Sequence, residues 1–247
     1  MFNKLTKKYI ITLFIVCLII YYLIFNKIIP DNTCIKYNYD NILNKNININ
    51  KISHNLIYIT DIFKDDCFNK IQEISTHIRN SNIKDNRNFL RKNTTLSSDK
   101  LKNTYINDIY FNKNLLDFLS TQLDKNLNLV DCSDISSMNL ISYNKPNDYI
   151  YWHKDPNHYF GNRYTVLIMT KNTSTVKLMY KLNNEIFSLN MEENSILIFD
   201  GSKIEHRTTP LEENEERDLL SFTYCDDCNT NRLNNISVWI KNTLLGY

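Results

Sequence analysis

The chain has 247 residues, with 29 Lys and Arg against 27 Asp and Glu, a net charge of +2, and 43% hydrophobic residues. That is enough for a sizeable core plus an extension. The charge is too balanced for a nucleic-acid surface, and no nucleic-acid partner is expected. Only 3 Gly are present and Ala is absent, so Asn and Asp must supply most turns.

Lys4, Lys7 and Lys8 precede a stretch, residues 9–25, that is apolar apart from Thr12. With Ile28 and Ile29 it approaches the ~20 residues that cross a bilayer. No small-residue cleavage site follows, so a signal-anchor over residues 9–29 is expected in preference to a cleaved signal peptide. The leading lysines would keep residues 1–8 cytoplasmic. The rest would then be lumenal or extracellular in a single-pass membrane protein. Residues 30–55 are polar and Asn-rich and read as a stalk, leaving 56–247 as one folded domain. A short strand is expected over 57–59. Phe63, Cys67, Ile71, Ile74 and Ile78 recur at helical spacing, which predicts a helix over 62–78 with Asp61 as a cap. Residues 80–112 read as irregular. Leu115, Leu116, Leu119 and Leu123 predict a second helix over 114–127.

From residue 136 the period changes to two. Strands are expected near 137–143, 148–154, 164–170, 175–180, 185–189, 195–199, 204–208 and 217–224. This is a mainly β fold with flanking helices, a sandwich, barrel or jelly roll with its core at about 136–225. The two helices would pack on the outer face of the sheet. The tail 233–245 reads equally as helix or strand. Cys225 and Cys228 form a CxxC without a second pair, so zinc is disfavoured. A disulfide to Cys132 or Cys67, or plain buried thiols, fits better. Asn93, Asn172 and Asn235 begin N-x-S/T sequons.

The chemistry centres on Tyr149 to Asp155 and on Ile204-Glu205-His206. On an extended strand His153 and Asp155 would share one face, with Trp152 and Lys154 pointing away. If a second strand brings His206 alongside, two imidazoles and one carboxylate meet: the facial set that holds iron(II) with open positions. Arg217 follows His206 by eleven positions in an apolar strand. That apolar context favours an inward-pointing side chain over a pairing with the acidic loop Glu212-Glu213-Glu215-Glu216. His54 and His77 lie outside the sheet region, and His158 reads as a loop residue.

Three stretches carry a wider likeness: SYNKPNDYIYWHKD, GNRYTVLIMTKN and SILIFDGSKIEHRTTPLEENEERDLLSFTYC. Residues from about 138 to 224 resemble the iron(II)/2-oxoglutarate-dependent dioxygenases, nearest the prolyl 4-hydroxylase-like branch. The resemblance implies a double-stranded β-helix, with His153, Asp155 and His206 as metal ligands and catalytic centre. It implies that Arg217 binds the distal carboxylate of 2-oxoglutarate and that Tyr143 hydrogen-bonds the same cosubstrate. Thr208 and Ser221 are weaker candidates for that pocket. The implied cofactor is Fe(II), with 2-oxoglutarate and O2 as cosubstrates and ascorbate as reductant. The implied reaction is C–H hydroxylation, of a peptidyl proline or lysine by branch analogy. Alternatives are the same chemistry on a small molecule, lipid or glycan, or a non-catalytic jelly-roll module. Two departures stand out: Met169 lies where some members carry a second tyrosine, and TSTVKLMY replaces a glycine pair.

Overall fold

The computed structural model describes residues 4–28, 35–81, 90–131 and 134–234. Helix α1 (Lys4–Phe25) is followed by β1 (Lys27–Ile28), β2 (Asn48–Ser53), β3 (Leu56–Thr60) and α2 (Asp65–Ser81). Then come β4 (Arg91–Lys92), β5 (Thr94–Ser97), α3 (Ser98–Leu101), α4 (Tyr105–Tyr110), α5 (Lys113–Leu123) and β6 (Asn128–Leu129). The remainder is β: β7 (Met138–Tyr143), β8 (Tyr149–Ile150), β9 (Arg163–Asn172), β10 (Leu178–Leu182) and β11 (Glu185–Leu189). It closes with β12 (Ser195–Asp200), β13 (His206–Thr208), β14 (Arg217–Cys225) and β15 (Thr230–Asn231).

The membrane anchor expected over residues 9–29 is not upheld. Among the described residues no helix is long and apolar enough to cross a membrane. The apolar run in α1, residues 9–25, rises only about 25 Å at 1.5 Å per residue, short of a ~30 Å hydrocarbon layer. Beyond Asn26 the chain turns into β1, which pairs with β15 instead of prolonging the helix. The single-pass placement with a lumenal domain falls with the anchor.

The main sheet has the order β2-β3-β12-β9-β14-β7-β5, with β6 also on β14. A smaller sheet has the order β11-β10-β13. Among the described residues all strand pairings within these sheets are antiparallel. Alternation along the strands makes two cores. One face of the main sheet presents Tyr164, Val166, Ile168, Ile196, Ile198, Leu220, Phe222 and Tyr224 to α2, α4 and α5. The other presents Leu167, Met169, Leu197, Phe199 and Leu219 to Leu178 and Tyr180 of the small sheet. The central strands β9 and β14 are covered on both sides, which is why they read as almost unbroken apolar runs.

Within the expected stalk, Asn48–Ser53 forms the edge strand β2 on β3. Asp61 does not cap α2, which begins at Asp65. Asp61 sits at φ 56°, a left-handed turn. Every other positive-φ residue among those described, apart from glycines, is also Asn or Asp, including Asn183-Asn184 between β10 and β11. Residues 91–110, expected to be irregular, contain β4, β5, α3 and α4, held by buried Leu96, Leu101, Ile106 and Ile109. Cys225 and Cys228 form a disulfide with each other, their Cα atoms 5.3 Å apart, while Cys67 is free. The short reach across one turn decides this pairing over the more distant partner. The sequon at Asn93 is fully buried. The expected tail 233–245 and the sequon at Asn235 lie almost wholly outside the described residues.

Candidate metal centre

His153 and His206 are direct partners in an antiparallel bridge. The His153 N–H donates to the His206 carbonyl at 3.0 Å, and the His206 N–H returns the bond at 2.9 Å. A doubly bonded pair sets its side chains on one side, and the two rings lie 4.2 Å apart. Each imidazole is oriented the same way. His153 Nδ1 meets the Tyr151 carbonyl at 2.8 Å, and His206 Nδ1 meets the Ile204 carbonyl at 3.0 Å. A carbonyl only accepts, so each Nδ1 carries the hydrogen and each Nε2 keeps its lone pair for a metal. Phe199 packs edge-on against His206 at 4.8 Å and fixes the ring further.

The expected strand 148–154 ends early. β8 stops at Ile150, and beyond it only His153 keeps a bridge. Asp155 therefore owes its place to other contacts than strand alternation. Its N–H donates to the Gly201 carbonyl at 2.8 Å. The Thr165 hydroxyl donates to its Oδ2 at 2.5 Å, leaving Oδ1 3.7 Å from His153 Nε2. Ligand atoms of His153, Asp155 and His206 all lie within 4.8 Å of one another. Burial opposes the Asp155 charge, but Arg163, then His206, the Thr165 hydroxyl and His153, outweigh it and hold the carboxyl below its ordinary value. Burial, with His153 adding to it, pushes His206 down against the pull of Asp155. Both shifts favour the metal-binding forms, carboxylate and neutral imidazole.

Arg217 opens β14 directly opposite Tyr143 of β7. It is 1% exposed, its Cζ lies 5.1 Å from the Tyr143 ring centroid, and its Nε and Nη1 have no hydrogen-bond partner. Burial lowers its pKa while Tyr143 acts the other way. The acidic loop does not claim it: Glu216 pairs with Lys171 and Arg79, and Glu215 accepts the N–H groups of Thr175 and Glu212. Burial pushes the Tyr143 hydroxyl up, while neighbouring Arg217, Thr208 and Asn93 act the other way. A buried guanidinium with open donors is a receptor for a carboxylate.

A cavity of about 320 Å³ opens beside His153 and Asp155, with Arg163, Ile150, Tyr151 and Ser221 in its wall. Trp152 faces away from the metal ligands, between Lys181 at 4.6 Å and Arg207 at 5.0 Å. His158 lines the cavity mouth, whereas His54 and His77 are outside this group. Sequence reasoning assigned no part in the site to Thr165, Gly201, Asn93 or Arg163. The period-two pattern of β9 carried a signal, since Arg163 and Thr165 share the face of Leu167.

No protein-family model matches the sequence, and no curated protein does. Solved structures do match in fold. A prolyl-4-hydroxylase from Pseudomonas putida superposes with TM-score 0.55 at 11% identity, over 70% of this chain and 93% of that one. The chain has the fold of the iron(II)/2-oxoglutarate oxygenases. A prolyl hydroxylase from Trichoplax adhaerens, solved with a hypoxia inducible factor peptide, gives TM-score 0.56 at 13% identity over 70% and 84% of the two chains. The epimerase SnoN, solved with Fe3+, alpha-ketoglutarate and nogalamycin RO, gives 0.60 at 9% over 74% and 83%.

Proposed function

We propose that the chain is an iron(II)- and 2-oxoglutarate-dependent oxygenase that hydroxylates a C–H bond. The observation that carries this is the pairing of two features on one inner face. Three ligand groups stand with their metal-facing atoms presented, and a buried arginine nearby has two unpartnered donors. His153, Asp155 and His206 would hold the iron, and the set leaves positions open. Bound there, iron(II) with 2-oxoglutarate supplies the oxygen chemistry that side chains lack. Arg217, stacked on Tyr143, would orient the distal carboxylate, and Tyr143 with Thr208 and Asn93 would fix that end. Phe199 and the apolar inner core exclude water around the ligands.

The prime substrate enters through the cavity by Tyr151. Its volume, about 320 Å³, is at the small end for ligand sites and suits one inserted side chain or a small molecule. By analogy with the prolyl hydroxylase neighbours, a peptidyl prolyl or lysyl side chain is one candidate target. The Trichoplax neighbour was solved with a peptide and SnoN with a small molecule, and both classes belong in a substrate screen.

The test is succinate formation from 2-oxoglutarate by anaerobically iron-loaded protein on admission of oxygen, with ascorbate present, beside His206→Ala. Succinate that disappears in the variant is the expected result. Absence of turnover together with absence of 2-oxoglutarate binding to the iron-loaded protein would sink the reading.

A further inference from the structure

We propose that Thr165 and Gly201 restrict Asp155 to ligation through one oxygen, so that Thr165 is a positioning residue guarding an open metal position. The proposal rests on the reading of the site as an iron and 2-oxoglutarate centre. Oδ1 of Asp155 is the oxygen that approaches His153, 3.7 Å from its Nε2. Oδ2 is engaged by the Thr165 hydroxyl at 2.5 Å. Thr165 is 2% exposed and sits mid-sheet, paired with Phe199 of β12 and Thr223 of β14, so its backbone is fixed by two neighbouring strands. Gly201 acts twice. Its carbonyl takes the Asp155 N–H at 2.8 Å. Its missing side chain also leaves the room in which the pair meets, since a Cβ there would collide with both Asp155 Oδ2 and Thr165 Oγ1.

The consequence is chemical. Carboxylates bind cations through one oxygen or two. A freely turning Asp155 would offer both, taking one of the positions that the facial set leaves for the cosubstrates. The Thr165 hydrogen bond removes the second oxygen from competition. It thereby favours cosubstrate binding, not metal binding.

That distinction gives the test. Thr165→Val keeps the shape and deletes the donor, Thr165→Ser restores the donor, and Gly201→Ala wedges the pair apart from the other side. Each protein is loaded with Co(II), whose ligand-field absorption reports coordination number, and titrated with 2-oxoglutarate. Thr165→Val and Gly201→Ala are expected to bind Co(II) at least as tightly as the parent and to show a higher-coordinate spectrum. They should bind 2-oxoglutarate about 10–100-fold more weakly, and Thr165→Ser should behave as the parent. A merely structural role would weaken metal and 2-oxoglutarate together. That result, or a parental spectrum and affinity in Thr165→Val, would overturn the proposal. Failure of the parent itself to bind 2-oxoglutarate would instead count against the functional reading. The Co(II) spectra would still decide how Asp155 ligates.

Discussion

Arg217 brings a guanidinium into the interior and leaves two of its donors without partners. Each unmet buried donor costs about 1–3 kcal/mol, so the residue works against the stability of the unliganded fold. Arg217→Met should therefore leave the free protein at least as stable in urea. The same variant should lose about 10–100-fold in 2-oxoglutarate affinity, the worth of one or more charge-assisted hydrogen bonds. A destabilised variant with intact affinity would make Arg217 structural. His153 and His206 show the opposite economy. Every polar group they present, apart from Nε2, meets a carbonyl or an amide within 3.0 Å.

The elements are locked together by a second polar group on the outer face of the main sheet. Arg79 of α2 reaches Asp218 of β14 at 2.9 Å and Glu216 at 3.4 Å. Ser142 of β7 donates to the other Asp218 oxygen, and Lys171 of β9 completes the cluster through Glu216. Burial raises the Asp218 carboxyl above its ordinary value despite Ser142 and Arg79. Removing Arg79 would strand that carboxylate at 1% exposure. Arg79→Met is expected to cost about 3 kcal/mol at neutral pH, as for other buried pairs deprived of one partner. Ionised Asp218 is a burden in the folded state that is absent below its unfolded pKa and grows as pH rises through its folded pKa. Without Arg79 that burden is larger, so the deficit against the parent should shrink on acidification. Urea titrations at several pH values measure it. A deficit independent of pH would assign the loss to packing of the arginine stem.

The whole molecule is assembled from distant pieces of chain. β3 at Leu56–Thr60 lies beside β12 at Ser195–Asp200, and β5 beside β7 closes the other edge. The metal ligands come from a loop after β8 and from β13, joined by the His153–His206 bridge and by the Ile150 N–H bond to the Thr208 hydroxyl. Contacts of such separation must close long loops before they stabilise anything. Refolding from urea is therefore expected in the millisecond-to-second range, as measured by stopped-flow fluorescence of Trp152, the one tryptophan among the described residues. Microsecond refolding would contradict the nonlocal pairing.

The likeness to the oxygenase fold and the grouping of His153, Asp155 and His206 were legible because they rest on local signals. Period-two strands, an HxD triplet and a strand-borne histidine all show in one dimension. Inward-facing Arg217 was legible too, from the apolar strand that carries it. Other features depended on partners far away in the chain. β8 is shorter than its alternation implies, because residues 151–155 find their hydrogen bonds at Leu90, His206 and Gly201 and not in a ladder. Cys228 reached Cys225 across one turn, a choice among sulfurs that counting cannot make. The apolar run of α1 was visible, but its end at Asn26 was set by β1 finding β15. Local periodicity thus determined which residues face inward. Only the tertiary structure decided which oxygen of Asp155 is presented and which donors of Arg217 stay open, since both depend on neighbours from other strands.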